Sequence, residues 1–277
     1  IRVCQDMTRY ALDRHSCLLV LGGGVLGDMG GFCAATYKRG IDFILMPTTL
    51  VAQVDASIGG KLGIDFEHFK NHIGVFQQPA LTLLYDGFLD TLPESDLRSG
   101  FAEIIKHTLI SDADVWRQIE PKVLKDQPFK MLIKHSVEFK ARVTTEDPKE
   151  KGLRKILNAG HTIGHAFESY RLSQGKGILH GEAIAVGLIS ESYIAQKLGL
   201  LSPDDLMRIT TFILKNYGKI NIGKDELSAI SQLTLQDKKN INNKILCVLL
   251  DGIGKAKWDC AITVESVAEA LSFYQEA

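Results

Sequence analysis

The chain reads as an α/β nucleotide-binding half followed by a mostly α-helical half, and three observations predict this. Short apolar runs at residues 18–21, 43–46 and 81–84 are separated by glycine-rich turns and short helical stretches, the pattern of a mostly parallel sheet. The first run enters Gly22-Gly23-Gly24-Val25-Leu26-Gly27-Asp28, in which Gly22, Gly24 and Gly27 fit G-x-G-x-x-G. From about Glu94 onward the apolar spacing turns helical. The expected units are residues 1–92 and 93–277, with the active site in the cleft between them.

Taken in order, residues 6–14 read as a helix leading into the strand at 18–21. The glycines after that strand permit a tight turn and close backbone approach to a pyrophosphate. A helix over 29–37 would then offer unpaired N–H groups to the anion; a plain tight turn is the alternative. The strand at 43–46 runs into Pro47-Thr48-Thr49, beyond a strand's carboxyl end, where ligands collect; the alternative is a turn after Pro47. Residues 88–93 read as a connector. Helical spacing covers 97–110, 113–119, 129–145, 161–171 and 182–198. Pro203-Asp204-Asp205 marks another helix start with Ser202 as N-cap, and residues 225–233 form a further helix. Residues 244–250 have β character, and Asp251-Gly252 suggests a hairpin turn before a return strand at 255–262.

Composition narrows the function classes. The 277 residues are 45% hydrophobic with a net charge of −1 and both signs mixed, which argues against nucleic acid or an acidic membrane surface as partner. No apolar stretch is long enough to span a bilayer, and no signal peptide is visible. The five cysteines are scattered without a C-x-x-C pair, so reduced thiols and a cytoplasmic location are expected.

The densest chemistry lies in Asn158-Ala159-Gly160-His161-Thr162-Ile163-Gly164-His165 and Leu179-His180-Gly181-Glu182. His161 and His165, four apart, share one helix face, and His180 can return on a following segment. Three imidazoles with carboxylates nearby suit Zn²⁺ or a similar divalent ion; the alternative is hydrogen-bonded core histidines. Spacing alone favours His161 and His165 as joint ligands. Glu103, three residues before Lys106, reads equally as an exposed carboxylate paired with Lys106 or His107. Lys61, Lys70, Lys140 and Arg154 suit an anionic substrate, against the default of solvated surface charges.

These segments together resemble one family. Gly23-Gly24-Val25-Leu26-Gly27-Asp28, Ala35-Thr36-Tyr37-Lys38-Arg39-Gly40, Pro47-Thr48-Thr49-Leu50, Gln53-Val54-Asp55-Ala56-Ser57-Ile58-Gly59-Gly60-Lys61 and Lys70-Asn71 closely resemble the 3-dehydroquinate synthase family. Ser99-Gly100-Phe101-Ala102-Glu103-Ile104-Ile105-Lys106-His107 and the two histidine segments are similar to the same family, in the same order. The resemblance implies a dehydroquinate synthase-like fold whose first βαβ portion, with an acidic dinucleotide-binding segment, is missing here. It implies conversion of 3-deoxy-D-arabino-heptulosonate 7-phosphate to 3-dehydroquinate and phosphate, with NAD and Zn²⁺ (or Co²⁺), in a homodimer. It implies Glu103, His161 and His180 as metal ligands, with His165 on the phosphate side or handling a proton. Asp55, Lys106, Lys140, Arg154 and Asn158 would bind the carboxylate and hydroxyls. Lys61, Asn71 and His165 would take the phosphate, with Lys238 or Lys239 and with Arg39 from a neighbouring subunit. Gly23, Gly24, Val25, Leu26, Gly27, Asp28, Thr48, Thr49, Lys61, Lys70, Phe88, Leu89, Asp90 and Thr91 would line the cofactor. The rival readings are a sister cyclase acting on another sugar phosphate, a metal-dependent polyol dehydrogenase, and a non-catalytic remnant.

Overall fold

The computed structural model describes residues 1–66, 69–236, 240 and 244–277, with the side chains of 69–71 and 236 left aside. The chain forms two compact units, Ile1–Gly100 with Phe129–Thr145, and Phe101–Pro128 with Glu146–Ala277.

The first unit is built on a parallel sheet of β1 (Cys17–Gly22), β2 (Asp42–Pro47) and β5 (Leu81–Thr82), in the order β1-β2-β5. Phe43 and Leu45 of β2 are buried, with Leu45 opposite Val20 of β1. Helices α1 (Arg2–Arg9) and α2 (Gly24–Thr36) bring Met7, Cys33 and Ala34 to the same core. Helix α2 lies close on the sheet because Gly30 has no side chain: a Cβ there would stand 2.8 Å from both Val20 methyls. An antiparallel hairpin, β3 (Lys61–Phe66) and β4 (Phe69–Phe76), adds Leu62 to the core. Helix α3 (Glu94–Ser111) starts in this unit and runs into the second; α5 (Phe129–Glu146) lies in the first except for its last residue.

Several expectations shift here. The first helix occupies 2–9 rather than 6–14, and the chain turns away through Ala11, which has a left-handed φ of 55°. Helix α2 begins inside the glycine turn rather than at residue 29, with Gly27 N–H donating to Gly23 O at 3.0 Å. The strand at 81–84 shrinks to two residues. The β3–β4 hairpin was not expected, so this unit is only partly parallel. The connector is a 3₁₀ turn over Asp86–Thr91.

The second unit is mostly helical: α4 (Ala113–Ile119), α6 (His161–Ser173), α7 (His180–Lys197), α8 (Pro203–Tyr217), α9 (Lys224–Leu233) and α10 (Val264–Glu276), with an antiparallel hairpin of β6 (Ile245–Leu250) and β7 (Ala256–Ile262). Two helix starts follow from their caps. Asp112 accepts the amides of Asp114 and Val115 at 2.9 and 3.0 Å to open α4, and Ser202 accepts Asp205 N–H at 3.1 Å to open α8. Trp116 packs edge-on against Phe212 at 5.1 Å, tying α4 to α8. Helix α7 is buried over most of its length, including the unbroken apolar run at 183–189. Helix α10 was not foreseen. It presents Val267, Ala270, Leu271 and Tyr274 as a buried stripe behind a Thr263 cap.

Candidate active site

The nucleotide-binding signature lies in the first unit. A pocket at the carboxyl ends of β1 and β2 is lined by Gly22, Gly23, Gly24, Gly27, Asp28 and Pro47, among others. Four glycines form part of its wall, and a Cβ on Gly23 would stand 3.1 Å from Thr49 Cγ2. Val25 and Leu26 are exposed on the first turn of α2. Thr48 N–H donates to Gly22 O at 3.0 Å, which ties the end of β2 to the glycine turn. Thr49 Oγ1 accepts Ala52 N–H at 3.3 Å. Asp28, half-buried at the pocket, has its carboxyl pushed up to about 6 by burial, against the pull of Lys140 and with help from Asp55 and Asp65. Asp55 stands on a π-helical turn, Ala52–Ala56, a form common at functional sites. Lys140 Nζ donates to Asp55 Oδ1 at 2.7 Å and to its carbonyl oxygen at 2.6 Å. Lys140 is 7% exposed, so the solvated-charge alternative fails for it.

Lys61 is exposed at the start of β3, and Arg39 is exposed at a left-handed φ of 71°. Phe88, Leu89, Asp90 and Thr91 form most of the 3₁₀ turn. Lys70 and Asn71 fall in β4, but their side chains, like all of Lys238 and Lys239, lie outside the described residues.

In the second unit His161 and His180 open α6 and α7, so each imidazole leaves the first turn of a helix. Glu103 reaches both from α3. Its Oε1 lies 3.6 Å from His161 Nε2 and 3.3 Å from His180 Nε2, and its Oε2 pairs with Lys106. Glu103 is 0% and Lys106 1% exposed, so the exposed-carboxylate alternative fails. His161 Nδ1 lies 3.0 Å from Ala159 O; donating there leaves the Nε2 lone pair facing Glu103. His165 is exposed, with its ring 5.0 Å from that of His161 and 5.8 Å from that of His180. The donor atoms of the three histidines all lie within 4.8 Å of one another. The pair favoured by spacing and the set implied by the family therefore converge on one locus.

Electrostatics there are strongly perturbed. Burial pushes Glu103 up, but Lys106, then His161 and His180, outweigh it and hold the carboxyl well below its usual range. Burial and the charge of Lys106 keep His161 well below an ordinary imidazole, and therefore neutral near pH 7. Burial pulls His180 down, but its interactions with Glu103 and Glu168 prevail and carry it to about 9. The locus thus joins a buried, ionised carboxylate to a neutral imidazole, the negative charge and the lone pair that a cation site requires.

Arg154 and Asn158 sit on a 3₁₀ turn, Leu153–Asn158. The loop before it is organised by Asp147, whose carboxylate accepts N–H bonds from Lys151, Gly152 and Arg154 at 3.0, 2.7 and 3.1 Å. Those bonds hold Asp147 below its usual range. Arg154, 2% exposed, donates from Nη1 to Pro148 O at 2.8 Å. Asn158 Nδ2 donates to Glu150 Oε1 at 2.6 Å. Sequence reasoning passed over Asp147, Glu150 and Glu168; the signal available was their position within or beside the histidine and arginine segments.

Residues 1–99 match the 3-dehydroquinate synthase N-terminal family and residues 100–240 the 3-dehydroquinate synthase C-terminal family. The chain is 40% identical over 274 residues to the 3-dehydroquinate synthase of Parabacteroides distasonis, across 98% of this chain and 78% of that protein. The chain belongs to the 3-dehydroquinate synthase family. Its fold is that of sugar-phosphate cyclases. ValA, the 2-epi-5-epi-valiolone synthase of Streptomyces hygroscopicus subsp. jinggangensis 5008 solved with NAD⁺ and Zn²⁺ bound, superposes with a TM-score of 0.86 at 28% identity, over 99% of this chain and 78% of that one. A 2-deoxy-scyllo-inosose synthase complexed with carbaglucose-6-phosphate, NAD⁺ and Co²⁺ gives a TM-score of 0.85 at 26% identity, over 98% and 77%. The expectation of a dehydroquinate synthase-like fold holds. Among the described residues no helix is long and apolar enough to cross a membrane.

Proposed function

We propose that the chain converts 3-deoxy-D-arabino-heptulosonate 7-phosphate to 3-dehydroquinate and inorganic phosphate, a carbon–oxygen lyase step toward aromatic amino acids. The observation that carries this reading is the family match over nearly the whole chain. The residues fit a metal: a fully buried carboxylate lies within 3.6 Å of two imidazole nitrogens, one of them neutral with a free lone pair. Glu103, His161 and His180 would hold zinc or cobalt, which supplies Lewis-acid polarisation of hydroxyl and carbonyl oxygens. The residues also fit a dinucleotide: the pocket at the amino end of α2 is walled in part by Gly22, Gly23, Gly24 and Gly27, whose backbone a phosphate can approach closely. Residues 23–28, Thr48, Thr49, Lys61, Lys70 and 88–91 would hold NAD, which supplies reversible oxidation of one substrate hydroxyl without net consumption.

The chain's own residues do the rest. Asp55 and Lys140, held together as an ion pair, and Lys106, Arg154 and Asn158 would bind and orient the carboxylate and hydroxyls. A guanidinium matches a carboxylate through two parallel bonds, and Arg154 is prepositioned by its bond to Pro148 O. His165, Lys61, Asn71 and a lysine from Lys238-Lys239 would hold the departing phosphate, joined by Arg39 of a second subunit in a homodimer. Fixed geometry and aimed charge carry the protein's share of the rate. A cytoplasmic location fits the free cysteines.

The test is phosphate release from the heptulosonate phosphate with NAD⁺ and Zn²⁺ supplied. The expected result is steady release with no accumulation of NADH. Stoichiometric NADH build-up, or oxidation of glycerol in place of phosphate release, would refute the reading.

A further inference from the structure

Helices α6 and α7 approach until backbone meets backbone. A Cβ on Gly187 would fall on the carbonyl oxygen of Gly160 and stand 2.8 Å from both the Gly160 carbonyl carbon and the Gly164 amide nitrogen. Gly160 is itself in the left-handed region at φ 77° and precedes α6 without a side chain to cap it. The cap comes from the neighbouring helix instead. One turn beyond Gly187, on the same face of α7, stands Glu191, 3% exposed. Its Oε2 accepts Gly160 N–H at 2.5 Å, and its Oε1 accepts Ile163 N–H at 3.1 Å. Those two amides bracket His161.

A carboxylate is costly to bury. Here the cost is offset by two charge-assisted bonds and by the positive end of a 13-residue helix. The backbone position it governs is that of His161, whose ring is separately oriented by Ala159 O. We infer that Glu191 is a positioning residue for the metal site, clamping the first turn of α6 so that His161 Nε2 faces the locus shared with Glu103 and His180. The inference rests on His161 being a metal ligand.

The test is zinc affinity, measured by competition with a chromophoric chelator, on the wild type, Glu191→Gln and Glu191→Asp. The glutamine keeps the size of the side chain, but its amide has one acceptor oxygen for two N–H groups and turns a donor toward the other. Zinc affinity should fall about 10–100-fold in Glu191→Gln, the usual effect of losing an outer-shell partner, and by less in Glu191→Asp. Ile209→Ala, a cavity in α8, should lose stability yet keep wild-type zinc affinity. Affinity within twofold of wild type in a folded Glu191→Gln would overturn the inference. So would an equal loss in the α8 control, or failure of both Glu191 variants to fold even with zinc. If the wild type itself takes up no zinc, the metal-site reading falls and takes this inference with it. If the wild type binds and Glu191→Gln binds equally well, only the inference falls.

Discussion

Replacing Gly187 with alanine tests how the candidate metal site is held. Carbon atoms in contact settle about 3.5–4.0 Å apart. The new methyl would stand 2.8 Å from the Gly160 carbonyl carbon, so the two helices must part by at least about 0.7 Å there. Overpacking a core costs about 1–3 kcal/mol. Both obstructing groups are backbone, which cannot rotate aside, so the upper end applies. At about 2–4 °C per kcal/mol for a domain of this size, the unfolding midpoint should drop by about 6–12 °C. The same displacement exceeds the roughly 0.5 Å within which a catalytic constellation must be held. Since about 1 Å costs on the order of a hundredfold, phosphate release should fall by a factor of tens. Differential scanning calorimetry and a phosphate-release assay read the two effects. An alanine variant with the wild-type midpoint and rate would show that α6 and α7 do not meet as described.

Asp28→Asn should stabilise the chain at neutral pH. The folded carboxyl titrates at about 6, above its ordinary 3.8, so the folded state holds the extra proton and stability falls as pH rises from about 4 through 6. The shift corresponds to at most about 3 kcal/mol, screened to about 1–2 kcal/mol at a half-buried group. Urea unfolding should show the variant ahead by that amount at pH 7.5 and level with wild type at pH 4; equal curves at both pH values would sink the assignment. Arg39→Ala should cut activity while leaving zinc content intact, and mixing it with Lys61→Ala should restore part of it, because in a mixed dimer one site carries both lesions and the other neither. No recovery despite demonstrated subunit exchange would argue against a shared site.

Where a local signal coincided with the packing, the sequence was legible. Helix α4 is read to the residue because Asp112 caps it and Val115, Trp116 and Ile119 face inward. Helix α8 starts where Ser202-Pro203 says it should. The β3–β4 hairpin was missed because glycines interrupt its alternation at Gly63 and Gly74, and Gly74 is there for packing: a Cβ on it would stand 2.6 Å from Leu62 O. Helix α2 begins early, at Gly24, because its first turn winds through the glycine segment, whose residues are poor helix formers alone and so read as a turn. Helix α10 carries an unread but ordinary signal, a threonine cap and a stripe at i, i+3, i+4 and i+7. At the candidate site the motifs named the histidines, but only the fold reveals Glu191, a carboxylate in a mostly buried helix, 28 to 31 residues from the amides it serves.

His161 and His180 are each the first residue of a helix, and helix ends are where secondary structure frays. Leu179 N–H is held by Glu182 Oε2 at 3.1 Å at the start of α7, as Glu191 holds the start of α6. These contacts therefore govern time as well as affinity. Each opening of a first turn would carry one donor away from the cluster, so the frequency of opening would set how fast an ion exchanges. A variant that loosens either end should shorten the residence time of a bound ion even where its equilibrium occupancy, measured at saturating concentration, looks unchanged.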